Sequence, residues 1–113
     1  MLQLVTAVIQ PHKLEPVREA LSDANIGGMT VTEVRGFGQQ SGHTETYRGA
    51  EYQVDFVPKL KIEVLCDEGQ AGIISDLIVS VARTEKVGAG KVWTTPVSSA
   101  TRIRTGEVGV DAL

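Results

Sequence analysis

The order of apolar patterns along the chain limits the possible fold more than any other feature of the sequence. Leu2 to Ile9 is almost wholly apolar or β-branched and is soon followed by Pro11, which predicts a strand buried on both faces. Apolar residues at helical spacing come next and predict a helix that ends at Gly27-Gly28; they are Leu14, Val17, Leu21 and Ala24.

Three further strands and one further helix are predicted downstream. The β-branched run from Thr30 to Val34 predicts a second strand that continues to Gly36-Phe37-Gly38. A third strand with one well-covered face is indicated by the alternation of Leu60, Ile62, Val64 and Cys66 with more polar residues. The wide apolar stripe from Ile73 to Ala82 predicts a second core helix, and the acidic pair Asp67-Glu68 suits its N-terminus. Val92 to Val97 contains Pro96 and predicts a fourth strand at a sheet edge.

This β-α-β-β-α-β order is that of a ferredoxin-like α+β sandwich, and 113 residues suit a single domain over residues 1–113. Two helices cover one face of such a sheet and leave the other face open. Because the first strand is apolar on both sides, the open face needs a cover. Either loops provide it or copies of the chain associate, and the pattern favours self-association.

The connection between the second and third predicted strands, from Gln39 to about Glu51, is longer than a usual hairpin loop, which indicates a functional loop. It brings both tyrosines of the chain within six residues of each other. Tyr47, flanked by polar residues, is expected to be exposed. Tyr52 has two open interpretations: an exposed loop residue, or the first inward residue of a strand that continues through Val54 and Phe56.

Charge and composition exclude several classes of protein. With 11 Lys+Arg, 14 Asp+Glu and a net charge of −3, the chain lacks the basic balance of a protein that binds nucleic acid directly. Cys66 is the only cysteine, so no internal disulfide is possible. Together with the absence of a signal peptide pattern, this predicts a reducing cytoplasm. No apolar run approaches the roughly 20 residues of a spanning helix.

Two glycine-rich segments are candidates for ligand binding. Gly36-Phe37-Gly38 closes a strand, where glycine allows a ligand to approach the backbone but also commonly forms turns. The segment "KVGAGK" places Gly88, Gly90 and Lys91 between a helix and a strand, so it is not a Walker A loop. It forms either an anion-binding nest or a glycine helix cap beside a solvated lysine.

The segment "TRIRTGE" places Arg102 and Arg104 two residues apart, on one side of the chain if the segment is extended. Two neighbouring guanidinium groups suit a phosphate, although a solvated charged tail explains the same pattern. No set of nucleophile, base and orienting residue is present, and neither His12 nor His43 has the ligand spacing of a metal site. A non-enzymatic protein is therefore expected.

Four stretches together closely resemble the PII signal-transduction family of nitrogen regulators: "GMTVTEVRGFG", "GHTETYRGAEYQVDFVPKLKIEV", "VGAGKVW" and "RIRTGE". The resemblance covers essentially the whole chain. It implies a homotrimer of ferredoxin-like subunits that binds ATP or ADP in clefts between subunits. It also implies that, when ATP and Mg²⁺ are bound, the protein binds 2-oxoglutarate at the base of a long loop, the T-loop.

The resemblance assigns roles to individual residues. The nucleotide cleft would be lined by Thr30, Gly38, Leu65, Gly88, Ala89, Gly90, Lys91, Arg102 and Arg104, with Gln39 where many members carry an arginine that reaches the ATP phosphates. Gln40 matches the magnesium ligand, and it would hold 2-oxoglutarate together with Lys59, which pairs with a carboxylate. Arg48 matches the T-loop tip that related proteins insert into an ammonium channel, with Tyr47 beside it. Tyr52 matches the tyrosine that a partner nucleotidyltransferase modifies.

Four positions depart from the commonest pattern of the family: Gln39, Ser41, Glu85 and Ala89. They bear on nucleotide discrimination and on the resting conformation of the T-loop. Gln39, the "VW" after Lys91 and the ending "DAL" resemble the actinobacterial branch, which implies adenylylation rather than uridylylation of Tyr52.

The function implied is a sensor of adenine nucleotides and 2-oxoglutarate that regulates nitrogen assimilation through the T-loop. Its expected partners are the ammonium channel, the nucleotidyltransferase and other nitrogen regulators, with reversible membrane association through the channel. Two alternatives remain open: a structural or metal-handling trimer of the same fold, and a weak ATPase that uses the same cleft.

Overall fold

The computed structural model describes residues 1–37, 44–47, 50–53 and 56–113, and for residues 44–47 and 50–53 it describes the backbone alone. Six strands and two helices occur in these ranges: β1 (Leu2–Ile9), α1 (Leu14–Asp23), β2 (Thr30–Phe37), β3 (Thr44–Tyr47), β4 (Ala50–Gln53), β5 (Phe56–Asp67), α2 (Glu68–Ala82) and β6 (Gly90–Val97). Short 3₁₀ turns span Pro11–Lys13 and Gly109–Ala112.

The main sheet has four antiparallel strands in the order β2-β5-β1-β6. Strand β1 pairs along its whole length with β5 on one side and with β6 on the other. Ile9 is opposite Leu60 of β5 and opposite Gly90 of β6, so these three residues mark one end of the sheet. The order confirms the expected ferredoxin-like α+β arrangement, with β6 at an edge.

The core lies between this sheet and the two helices. Val5, Ala7 and Ile9 of β1 pack with Ile62, Val64 and Cys66 of β5 and with residues of both helices, among them Val17, Leu21, Ile74 and Ile78. The Cys66 side chain is buried as predicted, and burial raises the pKa of its thiol. This packing explains why the period-2 and helical patterns located the elements.

The opposite face of the sheet carries the alternate residues of β1. Leu4 is paired with Leu65, and Thr6 with Trp93, so these four side chains share that face. Trp93 is 46% exposed and Leu65 38% exposed there. This partly exposed apolar surface is what the apolar pattern of β1 led us to expect.

Several predicted boundaries were wrong. Helix α1 ends at Asp23 rather than at the glycine pair, because Asn25 adopts the left-handed conformation (φ 64°) and the Ile26 amide donates to the Leu21 carbonyl (2.9 Å). Strand β5 begins at Phe56, four residues earlier than predicted. Pro58 is tolerated there because the β5 segment before Leu60 pairs with β2 alone.

The predicted loop between the second and third strands contains a two-stranded antiparallel hairpin, β3 with β4, in which Glu45 is opposite Tyr52. Tyr52 therefore belongs to β4 and not to the strand that enters the core. Residues 44–47 and 50–53 of the predicted functional loop thus form two short paired strands.

Candidate ligand-binding site

The glycine segment after α2 is a loop and not a helix cap. Helix α2 ends at Ala82 with Arg83 as its C-cap residue, several residues before Gly88. Gly88 (φ 95°) and Gly90 (φ 115°) both adopt backbone conformations that favour glycine. We call residues 86–91 the glycine loop.

Lys59 lies beneath the glycine loop. Its side chain is only 5% exposed, and its Nζ donates a hydrogen bond to the Gly88 carbonyl oxygen. Burial lowers the pKa of this ammonium group, since desolvation disfavours the charged form. Among the described residues, no carboxylate lies within ion-pair distance of Lys59. An ammonium has three donors, so Lys59 retains donors for an anionic ligand.

A cleft of about 740 Å³ opens beside Lys59. It is lined by residues of five segments: Val8 of β1, Gly36 and Phe37 of β2, Lys59 of β5, the whole glycine loop, and Trp93 of β6. Lys59, Lys86 and Lys91 bring three cationic groups to one cavity, which therefore suits a ligand with several negative charges. Of the residues predicted to bind nucleotide or 2-oxoglutarate, this cleft unites Lys59, Gly88, Ala89, Gly90 and Lys91.

Thr30 and Leu65 line a second cleft, of about 780 Å³. Its other walls come from the turn after α1, from α2, and from Ala112 and Leu113 at the end of the chain. Lys59 and Leu65 are six residues apart on β5, or roughly 20 Å along the strand. The predicted nucleotide residues thus divide between two clefts toward opposite ends of the sheet.

Arg102 is held by the C-terminal segment. Its Nη1 contacts the Glu107 carboxylate (3.1 Å), its Nε donates to the Ala112 carbonyl (3.4 Å), and its Nη2 donates to the Leu113 carbonyl. Because Ala112 and Leu113 line the second cleft, Arg102 is adjacent to it. Arg104 is exposed.

The six remaining residues with a predicted role belong to the T-loop. Gly38, Gln39, Gln40 and Arg48 lie outside the described residues. Tyr47 belongs to β3 and Tyr52 to β4, for which the structure describes the backbone alone. Among the described residues, no cluster of three or more acidic, histidine or cysteine side chains is placed to hold a metal ion.

Sequence reasoning missed Gln10 and Trp93. Gln10 directly follows β1 and donates from Nε2 to the same Gly88 carbonyl that Lys59 contacts (2.8 Å). A polar residue at the end of an otherwise apolar strand was the available signal. Trp93 is a single aromatic residue in an edge strand, and nothing in the local pattern indicates that it lines a cleft.

Comparison with known proteins identifies the family to which the chain belongs. The model of the family described as "Nitrogen regulatory protein P-II" matches residues 2–107. The chain belongs to the P-II family. P-II proteins of Rhodobacter capsulatus and Synechocystis sp. are 54% and 55% identical to it over 109 residues, covering 96% of this chain and 97% of each relative. A P-II protein of Pasteurella multocida is 53% identical over the same length and coverage.

Membership in the P-II family confirms the resemblance inferred from the sequence. Proteins of this family are regulatory signal transducers in nitrogen metabolism, and they assemble as homotrimers of ferredoxin-like subunits. Within the described ranges, no helix has both the length and the apolar character needed to cross a membrane.

Proposed function

We propose that this protein is a non-enzymatic sensor of ATP, ADP and 2-oxoglutarate that regulates nitrogen assimilation through its T-loop. The observation that carries the proposal is the buried ammonium of Lys59, which has no acidic partner among the described residues and faces a cleft bordered by glycines and two further lysines. Such a site suits a carboxylate held next to phosphate groups.

The division of the predicted residues supports a nucleotide site between subunits. The first cleft offers the glycine loop and Lys91, whereas Thr30 and Leu65 line the second, with Arg102 nearby. One nucleotide would contact both sets if the first cleft of one subunit met the second cleft of its neighbour in the homotrimer. The exposed apolar face around Trp93 and Leu65 supplies a surface for that association.

Magnesium, when bound, would neutralise phosphate charge and join the nucleotide to 2-oxoglutarate. The described residues that line the cleft of about 740 Å³ beside Lys59 are all cationic or apolar, so the ion would take its ligands from the nucleotide, from 2-oxoglutarate and from Gln40. Lys59 would then hold a 2-oxoglutarate carboxylate, while Lys91 and the glycine loop would hold phosphate.

Ligand state would set the posture of the T-loop, because each state binds one loop geometry better and shifts populations by that difference. With ATP and 2-oxoglutarate the loop is drawn to its base and leaves the ammonium channel. With ADP it extends, and the tip around Arg48 and Tyr47 blocks transport. The protein is therefore cytoplasmic and associates with the membrane reversibly through the channel.

Modification of Tyr52 by a nucleotidyltransferase would add bulk and a negative phosphodiester to strand β4. Both changes oppose insertion into a narrow pore. Intact-mass measurement of protein from nitrogen-starved cells distinguishes an added AMP from an added UMP, and the mass of the Tyr52 peptide locates it. Tyr52→Phe is the unmodified control. An unmodified Tyr52 peptide from nitrogen-starved cells would contradict the proposed modification of Tyr52.

Nucleotide binding tests the proposal against its two alternatives. We expect wild-type protein to bind ATP and ADP and Lys91→Ala to bind them at least about 10-fold more weakly, since a charge-assisted phosphate contact is lost. Lys13→Ala, which changes a lysine outside the cleft, should bind as wild type does. A structural trimer predicts no nucleotide affinity. An enzyme predicts ATP turnover that survives replacement of Gln40 and Lys59.

A further inference from the structure

The carbonyl oxygen of Gly88 accepts hydrogen bonds from two side chains that are far apart in the sequence. Gln10, the residue after β1, donates from Nε2 at 2.8 Å. Lys59 of β5 donates from Nζ. A single backbone oxygen thus joins the end of β1, the middle of the glycine loop and the buried lysine.

Two donors on one carbonyl have a physical consequence at this position. A carbonyl oxygen has two lone pairs, and here both are used. Gly88 has a φ of 95°, in the region where glycine is permissive, so the orientation of its peptide depends on these contacts. Together they aim the carbonyl at Lys59, where its partial negative charge supports the buried ammonium.

We propose that Gln10 is a positioning residue that couples the phosphate-binding glycine loop to the carboxylate-binding Lys59 through the Gly88 carbonyl. The inference rests on the proposed function of this cleft. Gln10 does not itself contact either ligand in this assignment. It acts on the backbone that lies between the two ligand sites.

Binding of an anion affects the hydrogen bonds from Lys59 and from Gln10 to the Gly88 carbonyl differently. A carboxylate draws the Lys59 ammonium toward itself and weakens the bond from Lys59 to Gly88. Gln10 is a neutral amide with no comparable attraction to the anion, so its bond persists and the glycine loop keeps its geometry. Without a donor at position 10, the loop would be released as the carboxylate binds, and the second ligand would have to reorder it.

This difference gives Gln10 a specific signature in binding. With ATP alone, Lys59 still holds the Gly88 carbonyl, so loss of the Gln10 donor should change the Kd for ATP by less than about 2-fold. The Kd for 2-oxoglutarate in saturating Mg-ATP should rise about 3- to 10-fold, the size of one hydrogen bond. By reciprocity, 2-oxoglutarate should then tighten ATP binding by a correspondingly smaller factor.

The experiment is calorimetric titration of the wild-type protein and of variants at positions 10 and 3 with Mg-ATP and with 2-oxoglutarate. Gln10→Met keeps the length of the side chain and removes the donor, whereas Gln10→Lys keeps a donor. Gln3→Met is the matched control, because Gln3 lies in β1, the strand that Gln10 follows, and is also half-buried. Gln10→Leu also removes the donor, adds no charge beside Lys59 and serves as the test if Gln10→Met does not fold.

We expect Gln10→Met to lose coupling, Gln10→Lys to recover most of it and Gln3→Met to match wild type. The role assigned to Gln10 would be overturned if Gln10→Met kept wild-type coupling between ATP and 2-oxoglutarate binding. It would also be overturned if the variant lost ATP binding and coupling to the same extent. Neither result would contradict the proposed function. A wild-type protein that binds ATP but shows no coupling to 2-oxoglutarate would contradict the proposed function itself.

Discussion

The backbone carbonyl oxygen of Val8 lies 1.9 Å from the position that a Cβ atom on Gly90 would occupy. The φ of Gly90 is also 115°, which L side chains rarely adopt. The glycine loop therefore enters β6 through a point where the β1 backbone leaves no room for a side chain. We expect Gly90→Ala to displace the loop, to lower the Tm by several degrees or more, and to weaken nucleotide binding.

Gly72→Ala is the matched control for Gly90→Ala. Gly72 lies inside α2, and a Cβ there would meet no atom within 4 Å. Replacing a helix-interior glycine by alanine stabilises by roughly 0.5–1 kcal/mol, so the Tm of Gly72→Ala should rise slightly. Thermal unfolding of both variants compares them directly. An unchanged Tm in Gly90→Ala would mean that the β1 and β6 backbones can separate without cost.

Adjacent isoleucines in α2 test the position of the core. Ile74 is fully buried among core residues, whereas Ile73 is 59% exposed. Ile74→Ala should lower the free energy of unfolding by about 2–5 kcal/mol through lost burial and a cavity. Ile73→Ala should change it by about 0.5 kcal/mol or less. Urea unfolding at one fixed protein concentration measures both changes. Similar losses of unfolding free energy in the two variants would contradict the orientation of α2, in which Ile74 and not Ile73 faces the core.

The sequence predicted β1 and the core faces of both helices because those segments bury one continuous set of side chains. Val5, Ile62 and Ile74 show the periods of their elements clearly. The hairpin of β3 and β4 was not predicted, since its residues are polar and give no burial pattern.

The candidate site was predictable only in part. Gly88, Gly90 and Lys91 lie within four consecutive residues, and the motif that they form can be recognised without a structure. The contact of Gln10 with Gly88 joins residues 78 positions apart. It depends on the register of β1 with β6, which no local pattern specifies. The burial of Lys59 is likewise a tertiary effect, because lysine in a strand is ordinarily exposed.

The ion pair between Arg102 and Glu107 should stabilise the C-terminal segment. The Glu107 carboxylate accepts from Arg102 and from the Thr105 hydroxyl (2.9 Å), and both Arg102 and Glu107 are partly exposed. For a partly exposed pair we expect Glu107→Gln to speed amide hydrogen exchange in residues 100–113 by about 2- to 5-fold. Glu19→Gln, on the exposed side of α1, is the control. Exchange unchanged in Glu107→Gln would show that the backbone contacts of Arg102 suffice.

The lowered pKa of Lys59 gives stability a defined dependence on pH. Burial lowers the pKa of this ammonium in the folded protein, so between that value and the ordinary lysine pKa the unfolded chain binds more protons. Stability contributed by Lys59 therefore rises with pH in the alkaline range below about pH 10.4.

Urea unfolding of wild type and Lys59→Met across this range measures the difference, with Lys61→Met on the same strand as the control. The advantage of wild type over Lys59→Met should grow as the pH rises. A difference that stays flat or shrinks would contradict the burial of a charged lysine.

Binding of 2-oxoglutarate under two nucleotide conditions tests the central claim most directly. Calorimetric titration of wild-type protein with 2-oxoglutarate should give clear binding in the presence of Mg-ATP and much weaker or no binding in the presence of ADP. Lys59→Met should abolish the first signal while ATP still binds. Equal binding with ATP and ADP, or no binding with Mg-ATP, would contradict the account.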